Sequence, residues 1–170
     1  FFSYIFGQIF NGYAAAGNMA KVMETADKLT TIHPSADNQT KAAIFSTAMA
    51  LAYQANNTPK TVEYGDKVLA LEPGNVQALM MVPLAMLVTL PPEGAAKDAA
   101  LTKVADYSKK LLALSKPMGT ADAEWNGVQA QANSTLGMAL VSQAKYDDSI
   151  PVLEAALKLN KKDDQSHYNL

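Results

Sequence analysis

Along the chain, small and apolar residues recur in steps of four, three and three, and they do so four times. The copies are Val22, Ala26, Leu29 and Ile32; Thr61, Gly65, Val68 and Leu71; Val104, Ser108, Leu111 and Leu114; and Ser149, Leu153, Ala156 and Leu159. Such steps return to one face of a helix with 3.6 residues per turn. The spacing therefore predicts equivalent helices over 22–34, 61–73, 104–117 and 149–161. A second helical stretch precedes each, joined to it by a short polar turn. Gly17 in Ala16-Gly17-Asn18 suits the left-handed residue that ends a helix. Asn56-Asn57-Thr58-Pro59 predicts Thr58 as N-cap with Pro59 at the first helical position. Pro91 and Pro92 stiffen the third turn, and the fourth runs through Ala144 to Asp148.

Helix, turn, helix and break then make hairpins over 2–32, 37–71, 76–114 and 121–160. Breaks fall at His33-Pro34, Glu72-Pro73-Gly74-Asn75 and Lys116-Pro117-Met118-Gly119. Repetition on this scale predicts an all-α, α-solenoid chain in which each unit buries its apolar face by stacking on its neighbours. The units are about 1–34, 35–73, 74–117 and 118–161, with a partial fifth over 162–170. Pro83 lies inside the third unit's first helix, where a kink is expected.

The last unit carries Leu136-Gly137, Leu140, Tyr146 and Ala156, with Leu170 placed a repeat length after Leu136. The first offers Ile9, Tyr13, Gly17, Ala26 and Pro34, and the second Ala48, Tyr53, Val68 and Pro73. In series these residues resemble the tetratricopeptide repeat family. The resemblance implies a right-handed superhelix whose first helices line a concave surface for a partner segment, and a non-catalytic function. Equivalent second helices start at Val22, Thr61, Val104 and Ser149, farther apart than the family's repeat, so an irregular superhelix is expected.

Composition narrows the partner. A formal charge of −2 and a chain without arginine argue against nucleic acid, whose phosphates demand basic clusters. Without cysteine there is no disulfide framework, thiolate nucleophile or cysteine-type zinc site. The apolar run from Ala78 to Leu90 is too short to span a bilayer and contains Pro83, so membrane insertion is not expected. The opening FFSYIFGQIF lacks a basic leading segment and does not read as a signal peptide. Absent cysteine and abundant Ala, Thr, Asn and Gln lean towards an exported bacterial envelope or extracellular location.

No catalytic, cofactor or metal site is expected. His33 and His167 are far apart in sequence and belong to no metal motif. Asp147-Asp148 and Asp163-Asp164 lie where helix starts favour negative charge. Gly7, Gly12 and Gly17 lack the lysine and hydroxyl of a phosphate cradle. The sequons at Asn38, Asn56 and Asn133 are chance matches in an Asn- and Thr-rich chain, and Trp125 reads as a packing residue.

By resemblance, the partner-binding groove draws on Gln8, Asn11, Ser46, Thr47, Tyr53, Met80, Met81, Leu84, Ser134, Thr135 and Met138. It contains no lysine, so it departs from family members that grip a carboxylate terminus. Methionine, tyrosine and neutral amides suit a protein or peptide segment that is apolar or neutral. An alternative is a homo-oligomer that stacks head to tail, with Phe2, Phe6 and Ile9 of one chain meeting Leu157 and Leu170 of the next.

Overall fold

The computed structural model of the protein describes residues 2–159, without the side chains of residues 2, 3, 5 and 30. The partial fifth unit over 162–170 and His167 lie outside them. The described residues are helical, with no strand. The helices are α1 (Phe2–Ala15), α2 (Met19–Asp27), α3 (Leu29–Ile32), α4 (Asn38–Gln54), α5 (Thr58–Leu71), α6 (Val76–Val88), α7 (Ala95–Leu112), α8 (Asp122–Ser142) and α9 (Tyr146–Leu159). The predicted helices appear within a few residues of their expected bounds, and α1 pairs with α2, α4 with α5 and α8 with α9. Lys28 interrupts the first second-helix and divides it into α2 and α3.

Three of the turns share one hydrogen-bonded design. Gly17, Asn56 and Ala144 are left-handed, with φ of 64°, 54° and 57°. Each donates its N–H to the carbonyl three residues back, and the next residue donates to the one five back: Asn18 to Tyr13, Asn57 to Ala52 and Lys145 to Leu140, all at 2.9 Å. This is the Schellman arrangement, which satisfies carbonyls that a helix end would otherwise leave open. Asn18 and Asn57 then cap the following helix, accepting from the N–H of Lys21 and of Lys60. Asn57, not Thr58, is thus the cap of α5, because the residue after the left-handed position is the one whose side chain faces the first turn. Lys145 has no oxygen to offer in that place, and α9 begins at Tyr146 rather than Ser149.

The repeated face is the core. Val22, Ala26 and Leu29, then Thr61, Gly65 and Val68, then Val104, Ser108 and Leu111, then Ser149, Leu153 and Ala156 are all buried. The fourth position of each copy lies at the helix end and is less covered: Leu71 and Leu114 are half-buried, while Ile32 and Leu159 are exposed. Pro83 is buried inside α6, where it cannot donate the helical bond its predecessors make.

The chain falls into two compact units, Phe1–Ala78 and Leu79–Leu170. In the first, α1 packs on α2, α2 on α4 and α4 on α5. In the second, α7 packs on α8 and α8 on α9, around a cluster of Leu101, Val104, Ala105, Leu136, Ala139 and Leu140 that Met86, Leu87 and Val152 join. Gly137 lets α8 and α9 approach closely: a Cβ there would lie 2.3 Å from Leu153 Cδ2.

Candidate interaction surface

Charge is divided between the two kinds of helix. Within α1, α4, α6 and α8 only Lys41, Asp122 and Glu124 are charged. Lys41 turns away to donate to the carbonyl of Pro34 at 3.2 Å, and the two acids stand in the first turn of α8. Every second helix, by contrast, mixes lysines with acids. A first helix therefore carries mainly hydroxyls, amides, thioethers and rings among its polar and large side chains.

In the first unit Gln8 and Asn11 on α1 are exposed, as is Tyr53 on α4, with Ser46 and Thr47 half-buried. The Thr47 hydroxyl is spent on the carbonyl of Ala43 at 3.0 Å. In the second unit Met80, Met81 and Leu84 on α6 and Met138 on α8 are half-buried. Ser134 and Thr135 are buried, and Thr135 Oγ1 donates to the carbonyl of Gln131 at 2.8 Å. The Thr135 hydroxyl serves the helix, and neither residue stands on an open face, because α8 is enclosed on nearly all sides over 130–140.

Of the residues expected in head-to-tail stacking, Ile9 is 49% exposed and Leu157 half-buried. Phe6 turns into the core and is closed to an outside contact. The side chain of Phe2 and all of Leu170 lie outside the described residues. Trp125 is half-buried near the start of α8, and Asn133 is buried, its amide donating to the Gln129 carbonyl at 2.9 Å. His33 is buried at the end of α3, its Nδ1 3.4 Å from Ser35 Oγ.

A polar junction that the sequence pattern did not single out joins α2 to α5. Tyr64 is completely buried, and its hydroxyl donates to the carboxylate of Asp27 (3.0 Å) and lies 3.1 Å from the carbonyl of Met23. Lys60 and Lys67 reach the same carboxylate, at 2.8 and 3.8 Å, and each ammonium stands 5.2 Å from the centre of the Tyr64 ring. Phe45 of α4 stacks beside the ring at 6.4 Å. Burial, then the Asp27 carboxylate, pushes the Tyr64 phenol well above its ordinary range. Hydrogen bonds to Asp27 and Glu63 raise Lys60, and Lys67 holds the Glu63 carboxyl down. A cavity of about 250 Å³ opens beside this junction, with Asp27, Lys41 and Lys67 around Phe45. Its charges are already satisfied within the unit, so it behaves as a wall of the junction.

Among the described residues no three His, Cys, Asp or Glu side chains come together to hold a metal, and no helix is long and apolar enough to cross a membrane. No sequence family matches this chain. No curated protein matches it either. Among solved structures it is similar to one described as the crystal structure of MamA protein, with 17% identity and a TM-score of 0.44 over 99% of this chain and 96% of that one. A likeness that loose carries neither the fold nor a function to this chain.

Proposed function

We propose that this chain is a non-catalytic interaction module of the tetratricopeptide kind, a right-handed α-solenoid that receives a protein or peptide segment on the face formed by its first helices. The observation that supports it is the separation of charge: the first helices are almost free of it while every second helix is rich in it. A soluble helix ordinarily keeps its outer face charged. Leaving that face neutral on four helices is economical only where another surface covers it. The occupant is an uncharged segment: the second unit offers it Met80, Met81 and Met138, and the first offers Tyr53 with Gln8, Asn11 and Ser46 as hydrogen-bonding groups. Methionine lets such a face repack around different apolar side chains.

The test is selection of peptides from a random displayed library on the immobilised chain, followed by affinity measurement on the winners. Uncharged winners are expected, with affinity nearly independent of salt because the face lacks ions to screen. Replacing Met80 and Met81 with lysine should abolish their binding at unchanged helix content. Collapse of affinity between low and physiological salt would refute the neutral face.

A second reading is head-to-tail stacking, favoured by one observation: Tyr4 and Ile9 are exposed on α1, a helix without a single charge. Growth in sedimenting mass with concentration, abolished by Ile9→Glu, is its expected signature. A monomer at every concentration would dismiss it.

A further inference from the structure

The α2–α5 junction is built from parts that recur along the chain in register with the core face. Relative to the first core position of each second helix (Val22, Thr61, Val104, Ser149), the lysine–tyrosine–lysine ridge of α5 occupies the positions one before, three after and six after. The ridge is complete on α5, as Lys60, Tyr64 and Lys67, and on α7, as Lys103, Tyr107 and Lys110. In α7 both ammoniums again stand over the ring, 5.4 Å from its centre, so the ridge has the same internal form. On α9 it is gone, replaced by Asp148, Val152 and Ala155.

The seat that receives the ridge consists of the positions one and five after the core residue. On α2 these are Met23, whose carbonyl lies beside the Tyr64 hydroxyl, and Asp27, whose carboxylate meets Tyr64, Lys60 and Lys67. The same two positions are Val62 and Asp66 on α5, but Ala105 and Lys109 on α7, where the acid has become a base. The acidic seats of α2 and α5 are thus each followed in the chain by a helix with the ridge. α7, which has no seat, is followed by α9, which has no ridge. α9 carries the seat again, as Ile150 and Glu154.

That seat is open. Ile150 is 46% and the neighbouring Tyr146 61% exposed, Leu157 is half-buried beside them, and Glu154 is exposed and forms no ion pair among the described residues. The corresponding carboxylate on α2 is held by two lysines and a phenol. We infer that the face of α9 formed by Tyr146, Ile150, Glu154 and Leu157 is a docking site for a partner helix carrying two lysines that flank a tyrosine in the spacing Lys-x3-Tyr-x2-Lys. The apolar residues receive the ring, and Glu154 receives the phenol and the ammoniums, as Asp27 does inside the first unit. Charge complementarity and the worked example at α2–α5 select this occupant. The site lies on a second helix and stands independently of the neutral first-helix face.

The probe is a hydrocarbon-stapled helical peptide with the sequence of residues 58–71, titrated into the isotope-labelled full chain. The expected result is saturable chemical-shift change confined to the amides of α9 around 146–157, reduced by rising salt. Glu154→Lys, an exposed substitution that leaves the fold intact by circular dichroism, should weaken binding about tenfold. A peptide with glutamate at both lysine positions should bind that variant better than it binds the parent, a reversal that nonspecific adhesion would not produce. Shifts that map elsewhere, or an affinity indifferent to Glu154→Lys, overturn the proposal. So does sedimentation showing that the chain alone associates and that Glu154→Lys disperses it, because the seat is then filled by a second copy of this chain.

Discussion

Gly137→Ala adds a single methyl group where α8 crosses α9, and its cost follows from three distances. The new Cβ would lie 2.3 Å from Leu153 Cδ2, 2.6 Å from Cγ and 3.5 Å from Cδ1. Contact with Cγ matters most, because that branch point is tied to the α9 backbone and cannot rotate away as a methyl tip could. Leu153 is also completely buried, so there is no solvent for it to move into. Overpacking of this kind costs about 1 to 3 kcal/mol, and contact at a branch point places it at the upper end. Alanine recovers about 1 kcal/mol of helix propensity over glycine, leaving a net loss of about 2 kcal/mol, or about 4 to 8 °C in Tm for a chain of this size. Gly127→Ala supplies the control: it lies in the same helix with nothing within 4 Å of the added Cβ, so it should be stabilising. Urea and thermal unfolding followed by circular dichroism would measure both. The cycle is completed by Leu153→Ala, expected alone to cost about 2 to 5 kcal/mol; paired with Gly137→Ala it should cost less than the sum, since the clash is removed. Equal stability of Gly137→Ala and Gly127→Ala would refute the close crossing.

Ala144 adopts the left-handed conformation that Gly17 takes in the first turn, a conformation costing a residue with a Cβ about 1 to 2 kcal/mol. Ala144→Gly should therefore raise stability in chemical denaturation, and Lys145→Asn should add about 0.5 to 1 kcal/mol as a new cap for α9; a neutral double variant would mean that the fourth turn differs from the first. Removing the hydroxyl in Tyr64→Phe leaves Asp27 and the Met23 carbonyl short of a buried donor, at a cost of about 1 to 3 kcal/mol in unfolding experiments, and unchanged stability would argue against the junction. Acid should weaken the fold by lost linkage. Glu24 is held down to about 2 by its hydrogen bond to Lys21 and then by Lys28, Glu63 is lowered by Lys67, and Asp37 by the Thr40 N–H that it caps. Groups with depressed folded values contribute fully above their ordinary values, 4.5 for Glu24 and Glu63 and 3.8 for Asp37, and lose that contribution as pH falls towards the folded ones. Urea midpoints should accordingly fall on acidification below about pH 5, and Glu24→Gln with Glu63→Gln should flatten the profile. A fall of the same size in the double variant would assign the acid sensitivity to other carboxylates.

The sequence by itself determined the helices and the buried face of each second helix, because both are set by local physics. A step of four, three and three selects one side of a helix, and Gly17 and the asparagines after it can take left-handed and capping conformations wherever they stand. What only the tertiary structure decided is which polar side chains lie inside. Tyr64 stands off the repeated core face between two lysines of its own helix; it is buried because α2 brings Met23 and Asp27 across it, and no pattern within α5 encodes that neighbour. Ser134 and Thr135 read as open groove hydroxyls, yet the packing of α8 encloses them, and Phe6 closes into the core while Ile9, three residues on, stays out. Local spacing fixes the face on which a residue stands. Whether that face meets water, a helix or a partner depends on contacts distant in the chain, and there a single carboxylate such as Asp27 can turn a row of surface lysines into a junction.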